Sequence, residues 1–143
     1  MQSTTSDPMA GLAPHAHWLL RVALASVFLY HGIDKFTGAG IGAFSEMMGM
    51  PVFIGFLVAL AEVLGGIGII VGAFMSGLIT RLGALAMIPV LLGAIFMVHW
   101  GQWHFMATET HPMGGMQFQV VLLLVALYFL IVGNGEPAAR ATP

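Results

Sequence analysis

With 143 residues the chain has room for one domain, and its make-up is extreme: 59% hydrophobic, 7% charged, mean hydropathy +0.96. Soluble domains carry about 25% charged residues, so composition excludes a water-soluble fold and predicts an integral membrane protein whose first partner is the lipid bilayer. A net charge of −2 offers no basic surface to nucleic acid. The lack of cysteine excludes disulfides, thiol redox chemistry and thiolate metal sites.

Residues 1–16, "MQSTTSDPMAGLAPHA", carry no Lys or Arg. The basic head of a secretory signal is therefore missing, and the stretch reads as a mobile polar tail. A membrane domain is expected over residues 17–135, followed by a short C-terminal tail, 136–143. A crossing helix needs about 20 mostly apolar residues, and four runs qualify: 18–36, 52–74, 78–99 and 116–133. The first two are linked by the Gly-rich "TGAGIGAFSEMMGMP", closed by Pro51 as a helix starter. The second and third join tightly around Ser76 and Gly77, and Pro89 predicts a kink in the third. A polar, aromatic loop, "WGQWHFMATETHPMGG", leads to the fourth. The alternation of barrel strands is missing. The expected fold is all-α, a four-helix transmembrane bundle.

Four crossings put both termini on one side, with Arg21, Arg81 and Arg140, and leave Lys35 on the other. The positive-inside rule then places both termini in the cytoplasm, and the expected location is the plasma (inner) membrane. The loops around Glu46 and Glu109 would face outward, with Trp100 and Trp103 in the interfacial aromatic belt.

Within "VALAEVLGGIGIIVG" a single carboxylate, Glu62, interrupts the apolar run. At helical spacing Gly55, Ala59, Glu62, Gly66 and Ala73 share a stripe. Small residues let helices approach closely in lipid, so Glu62 is expected to face a helix interface. A charge at the bilayer centre costs roughly 2.5–3.5 kcal/mol on insertion scales, so it must pair, be hydrated or stay protonated. The first helix offers Arg21, His31 and Lys35 as partners, and Asp34 sits one turn from His31, where it would orient the imidazole. His99 ends the third helix, and Gln117 and Gln119 open the fourth at the same level. A polar constellation is thus expected in the outer half: His31, Lys35, Glu62, His99 and Gln117. The same polar groups would also serve simply to bind helices together, with no chemistry. Arg21 and Arg81 read as orientation-setting charges. The outer side also collects Met47, Met48, Met50, Met97, Met106, Met113 and Met116, with His104 and His111 nearby. That set permits a thioether and imidazole copper site, although Met is also a common packing residue. His31 and His99, on different helices at one level, likewise permit axial ligation of haem b.

Four stretches carry a family resemblance: "LRVALASVFLYHGIDKF", "AEVLGGIGIIVG", "TRLGALAMIPVLLGAIFMVH", and "GGMQF" running on to "ALYFLIVGNG". Together they resemble the DoxX family of small membrane proteins over residues 18–135. The resemblance implies a four-helix membrane bundle and recurring positions at Arg21, His31, Gly32, Lys35, Glu62, Gly65, Gly66, Arg81, His99 and Gly133. The family takes its name from a subunit of thiosulfate:quinone oxidoreductase. Many relatives carry a Glu after the glycine pair that opens the last helix. This chain has Gln117 there, which implies the loss of one proton site.

Two functions follow. In the first, the chain is a subunit of a quinone-linked oxidoreductase. His31 and His99 would bond the ring carbonyls, Lys35 and Gln117 would complete the binding groups, and Glu62 would relay protons as the acid–base group with His31. Electrons would come from a small reduced donor, sulfur species included, or from a partner protein. In the second, the bundle is a non-catalytic anchor within a larger membrane complex. A proton or solute pathway is a third, weaker fit, because inverted repeats are not evident.

Overall fold

The computed structural model describes residues 8–135. The expected tail 136–143, Arg140 and the first seven residues lie outside them. Among the described residues the chain is all-α. One 3₁₀ turn, Ala13–His15, leads into α1 (His17–Thr37). α2 (Gly40–Met47), α3 (Val52–Met75) and α4 (Gly77–Ala94) follow. α4 runs on into a π-helical turn (Ile95–His99), and α5 (Gln117–Val132) closes the order. Three helical stretches are long and apolar enough to cross a membrane: Ala13–Thr37, Val52–Met75 and Gly77–His99. α5 is equally apolar but has 16 residues, or about 24 Å at 1.5 Å per residue. A helix stands at each of the four expected spans, and the last is shorter than the three that are long enough to cross. The sequence reading missed α2, which lies inside the Gly-rich link.

Lipid supplies no hydrophobic drive between helices, so packing depends on close approach. α3 and α4 form a hairpin joined by Ser76 alone. This residue is extended (φ −161°, ψ 152°) and caps α4 by accepting a hydrogen bond from the Ile79 N–H at 3.4 Å. The two backbones nearly touch: a Cβ on Gly72 would stand 2.5 Å from the Thr80 nitrogen, and one on Gly83 2.9 Å from the Gly65 oxygen. A second face of α3 meets α1, where a Cβ on Gly66 would lie 2.7 Å from Leu29. The core is filled by Leu24 and Phe28 of α1, Ile69 of α3, Met87 and Leu91 of α4, and Leu122, Ala126 and Phe129 of α5.

Arg21 corrects an expectation. It is not an interfacial charge but is fully buried, 0% exposed. Its guanidinium donates to Thr80 Oγ1 (3.0 Å), Asn134 Oδ1 (2.8 Å), His17 Nδ1 (3.0 Å), the Gly133 carbonyl (3.4 Å) and the Ile69 carbonyl, and it lies 4.8 Å over the Phe129 ring. The Gly133 carbonyl ends α5, and a helix C-terminus carries partial negative charge. Asn134 in turn donates to the Gly72 carbonyl at 2.8 Å. One side chain thereby fastens α1 to α3, α4 and the end of α5. It also sets both ends of the bundle's chain on the same side, hereafter the terminal end.

Candidate functional site

The opposite end, which carries α2 and the loop of residues 100–116, holds a cavity of about 380 Å³. That lies within the 300–1,000 Å³ range of small-molecule sites. Every helix contributes to its wall, which is largely apolar. The polar groups are few: His31 and Lys35 from α1, Glu62 from α3, His99 from the π turn, and Gln119 from α5.

Glu62 faces the bundle interior, 6% exposed. Of the three partners that α1 offered, Lys35 is the one it takes. Nζ lies 2.7 Å from Oε2 and 3.0 Å from Oε1, and it also donates to the His31 carbonyl at 3.3 Å. The Phe44 ring of α2 covers the ammonium at 4.7 Å, a cation–π contact strengthened by removal from water. Gly32 explains how the pair forms. A Cβ there would stand 3.0 Å from both Glu62 Cβ and the Val63 nitrogen, so only a glycine lets α1 approach α3 at this level. Lys35, one turn further on, then reaches over to the carboxylate. His31 lies at the cavity wall with its ring edge-on to Tyr30, and is exposed. Asp34 is exposed, and its carbonyl caps α1 by accepting the Gly38 N–H at 2.7 Å. No hydrogen bond joins its carboxylate to the His31 ring.

His99 owes its position to the π turn. Met87, Leu91, Ile95 and His99 are all buried at intervals of four. On an α-helix that interval drifts by about 40° per step, and the wider π winding counteracts the drift. Such turns are frequent at functional sites. The ring is 8% exposed and bonded on both nitrogens: Nδ1 to the Gly114 carbonyl at 2.9 Å, and Nε2 to Gln119 Nε2 at 2.9 Å. This leaves His99 no free nitrogen for axial ligation of haem. Of the two glutamines that open α5, Gln119 forms the wall. Gln117 is half-buried and turned aside, its backbone N–H donating to the Trp103 carbonyl at 3.0 Å.

The loop that holds Gly114 is itself an ordered cap. Buried Gln102 donates to the His104 and Met106 carbonyls and accepts from Thr108 at 2.7 Å. Gly114 and Gly115 pass so close beneath it that a Cβ on Gly115 would lie 2.4 Å from the Gln102 oxygen. This is the physical content of the glycine pair before α5. Met47, Met48, Met97 and Met113 line both the main cavity and a neighbouring one of about 250 Å³. His111, beside them, is already engaged by Trp100 (2.8 Å) and Thr110 (3.1 Å), so thioethers are the soft donors there. Among the described residues no three His, Cys, Asp or Glu side chains gather as a metal site.

With this geometry in place, comparison with known proteins gives the family. The family model described as DoxX matches residues 16–100, more than half of the chain. The chain belongs to the DoxX family. A relative named "Putative oxidoreductase CatD" in Bacillus subtilis (strain 168) is 30% identical over 117 residues, which is 81% of this chain and 78% of the relative. No solved structure matches. Family and apolar helices together make this a multi-pass membrane protein. His31, Lys35, Glu62 and His99 all fall inside the DoxX match, whereas Gln119 and most of the capping loop follow it.

Proposed function

We propose that this DoxX-family protein is the quinone-binding subunit of an oxidoreductase in the plasma membrane, through which electrons from a small reduced donor or a partner protein reach the quinone pool. One observation carries the reading. An apolar cavity of about 380 Å³, of a size for one substituted aromatic ring, brings together a buried Lys35–Glu62 pair, His31, and the His99–Gln119 pair. The name of the Bacillus relative, an oxidoreductase, agrees with it. A bound quinone supplies the two-electron chemistry, since the chain has no cysteine to hold an iron–sulfur centre. The chain's own residues do the rest. The apolar wall takes the ring out of water. Glu62 holds its carboxylate at the cavity and is the group placed to take or give a proton. Lys35 keeps that carboxylate in position, and His31 stands at the rim as a second proton-transfer group.

The test separates binding, assembly and turnover. The purified protein in lipid nanodiscs should bind a short-chain quinone saturably. Glu62→Gln keeps the shape of the side chain but cannot ionise. It should leave the complex assembled and lower quinone-coupled turnover by about 10²–10⁴-fold, the usual worth of a positioned acid–base group. A wild-type protein that binds no quinone, or a Glu62→Gln complex with normal turnover at normal protein level, overturns the reading in favour of an anchoring subunit.

A further inference from the structure

The cavity also opens sideways, and what that opening implies for the ligand rests on the proposed function. From Ser76 toward the opposite end, α3 and α4 first lie backbone to backbone. A Cβ on Gly72 would stand 2.5 Å from the Thr80 nitrogen, one on Gly68 3.1 Å from the Gly83 Cα, and one on Gly65 2.8 Å from the Met87 side chain. Beyond that level the contact ends. Gly93 lies less than two turns past Met87 and lines the cavity, yet a Cβ there would meet nothing within 4 Å. Glycine is among the least favoured residues in a helix interior. Gly65, Gly68, Gly72 and Gly83 are each required by a neighbour, whereas no neighbour requires Gly93. Its effect is to leave a gap.

The gap has two edges. On α4, Pro89 and Met97 flank Gly93 at intervals of four; both line the cavity and both are exposed, Met97 to 61%. On α3, Gly72, Gly65 and Val58 follow at intervals of seven and so share one side of the helix. Val58 therefore continues the edge that meets α4 lower down. It lines the cavity together with Ile54, which is 43% exposed. Residues that line the cavity and are also exposed make a wall with the outside directly behind it. Depth decides what that outside is. Gly93 lies about 9 Å before His99 at 1.5 Å per residue, inside the stretch Gly77–His99 that is long and apolar enough to cross a membrane. The hydrocarbon core of a bilayer is about 30 Å thick, so the gap faces acyl chains rather than water. Along the seam between α1 and α5 the cavity wall instead carries full-sized side chains, Val27, Phe28, Phe118 and Leu122.

We propose that the gap at Gly93, between α3 and α4, is the passage through which an alkyl tail on the quinone ring leaves the cavity for the bilayer. The ligand class is then a lipid-phase quinone with a long hydrocarbon chain. Its ring lies among the polar groups, its tail crosses between Val58 and Gly93, and the rest of the chain stays among the lipids. Met97, unbranched and adaptable in shape, borders the passage on the side of the π turn.

The experiment uses the purified protein in nanodiscs and two quinones that share one ring, 2,3-dimethoxy-5-methyl-1,4-benzoquinone without a tail and the same ring with a decyl tail. Tryptophan fluorescence gives each affinity. Comparing variants with the wild type in the same bilayer cancels the tail's own preference for lipid. Gly93→Phe fills the gap and should weaken the decyl quinone about tenfold more than the tail-less ring, the usual scale for forcing a group into occupied space. Gly42→Phe adds the same ring at an open position of α2 outside the cavity wall, and should keep the wild-type ratio of affinities. A second measurement needs no substitution: a decyl quinone with a diazirine near the ring end of its tail should, on illumination, label the segments that hold Val58, Gly93 and Met97. An unchanged ratio in folded Gly93→Phe, the same change of ratio in Gly42→Phe, or labelling that misses α3 and α4 each overturns the passage and leaves the quinone site standing. Should Gly93→Phe fail to fold, the labelling of the wild type decides alone. Failure of both quinones to bind rejects the quinone site and the passage with it.

Discussion

Lys35→Met is the sharpest perturbation the structure offers. It keeps the length and apolar stem of the side chain and removes the charge that holds Glu62. The two side chains are 12% and 7% exposed and 2.7 Å apart. Removing one partner of a buried pair costs about 3–5 kcal/mol, because the other charge is left uncompensated. Glu62→Gln should be milder. The ammonium it leaves behind keeps the Phe44 ring at 4.7 Å and the His31 carbonyl at 3.3 Å, and it lies nearer the surface. The double variant Lys35→Met/Glu62→Gln removes both charges and should recover most of the loss. At a few degrees per kcal/mol for a domain of this size, Lys35→Met should lower the apparent melting temperature in detergent by about 10 °C or more. The double variant should return close to Glu62→Gln alone. The coupling between the two positions, read from the double-mutant cycle, is the quantity that decides. If the double variant melts where Lys35→Met does, the ion pair carries no stability and the packing of α1 on α3 must rest on Gly32 and Gly66 alone.

Three further outcomes are expected. Gly72→Ala should sharply reduce folded protein in a detergent melt, because its Cβ would press on the Thr80 nitrogen at 2.5 Å, whereas Gly93→Ala, with open space around it, should be tolerated. Arg21→Lys keeps the charge but loses the planar fork that serves Ile69, Thr80, Gly133 and Asn134 at once; it should cost about 2–4 kcal/mol, and a melt equal to wild type would show that charge alone suffices. A reporter fused after Pro143 should behave as a cytoplasmic domain under the positive-inside assignment, and its export would reverse the orientation.

The spans and the burial of Glu62 were legible because both rest on periodicity. Small residues at intervals of three and four announce a helix interface whatever the neighbour turns out to be. What stayed hidden depends on tertiary contact. The segment "GIGAFSEM" looks like a linker by composition, yet it is helical and seats Ser45 against Gly55, where a Cβ would meet Ser45 Oγ at 2.0 Å. Gln117 and Gln119 stand at one level, but two residues on a helix differ by about 200° in direction. Sequence spacing alone does not say which of them faces inward, and it is Gln119. Arg21 near the start of a span reads as a surface charge. The acceptors that bury it, on Ile69, Thr80, Gly133 and Asn134, come from distant parts of the chain. The π turn under His99 has no composition signal at all.

The two ends of the bundle are built on different principles. At the terminal end the helices touch backbone to backbone, at Gly72 with Thr80, and Arg21 bonds across the remaining gap. At the loop end the same helices enclose a cavity, and a void inside a packed bundle is costly unless something keeps its walls from closing. Three features do so. α2 lies against α3 and supplies Phe44 as a cover for Lys35. The π turn rotates His99 inward. The capping loop, held by Gln102 and by glycines that admit no side chain, clamps His99 from above. None of the three adds to the packing of the terminal end. The separation is not complete: Arg21 and Gly72 belong to the tightly packed terminal end alone, whereas the Lys35–Glu62 pair both lines the cavity and ties α1 to α3, so at the loop end stability and site geometry are coupled.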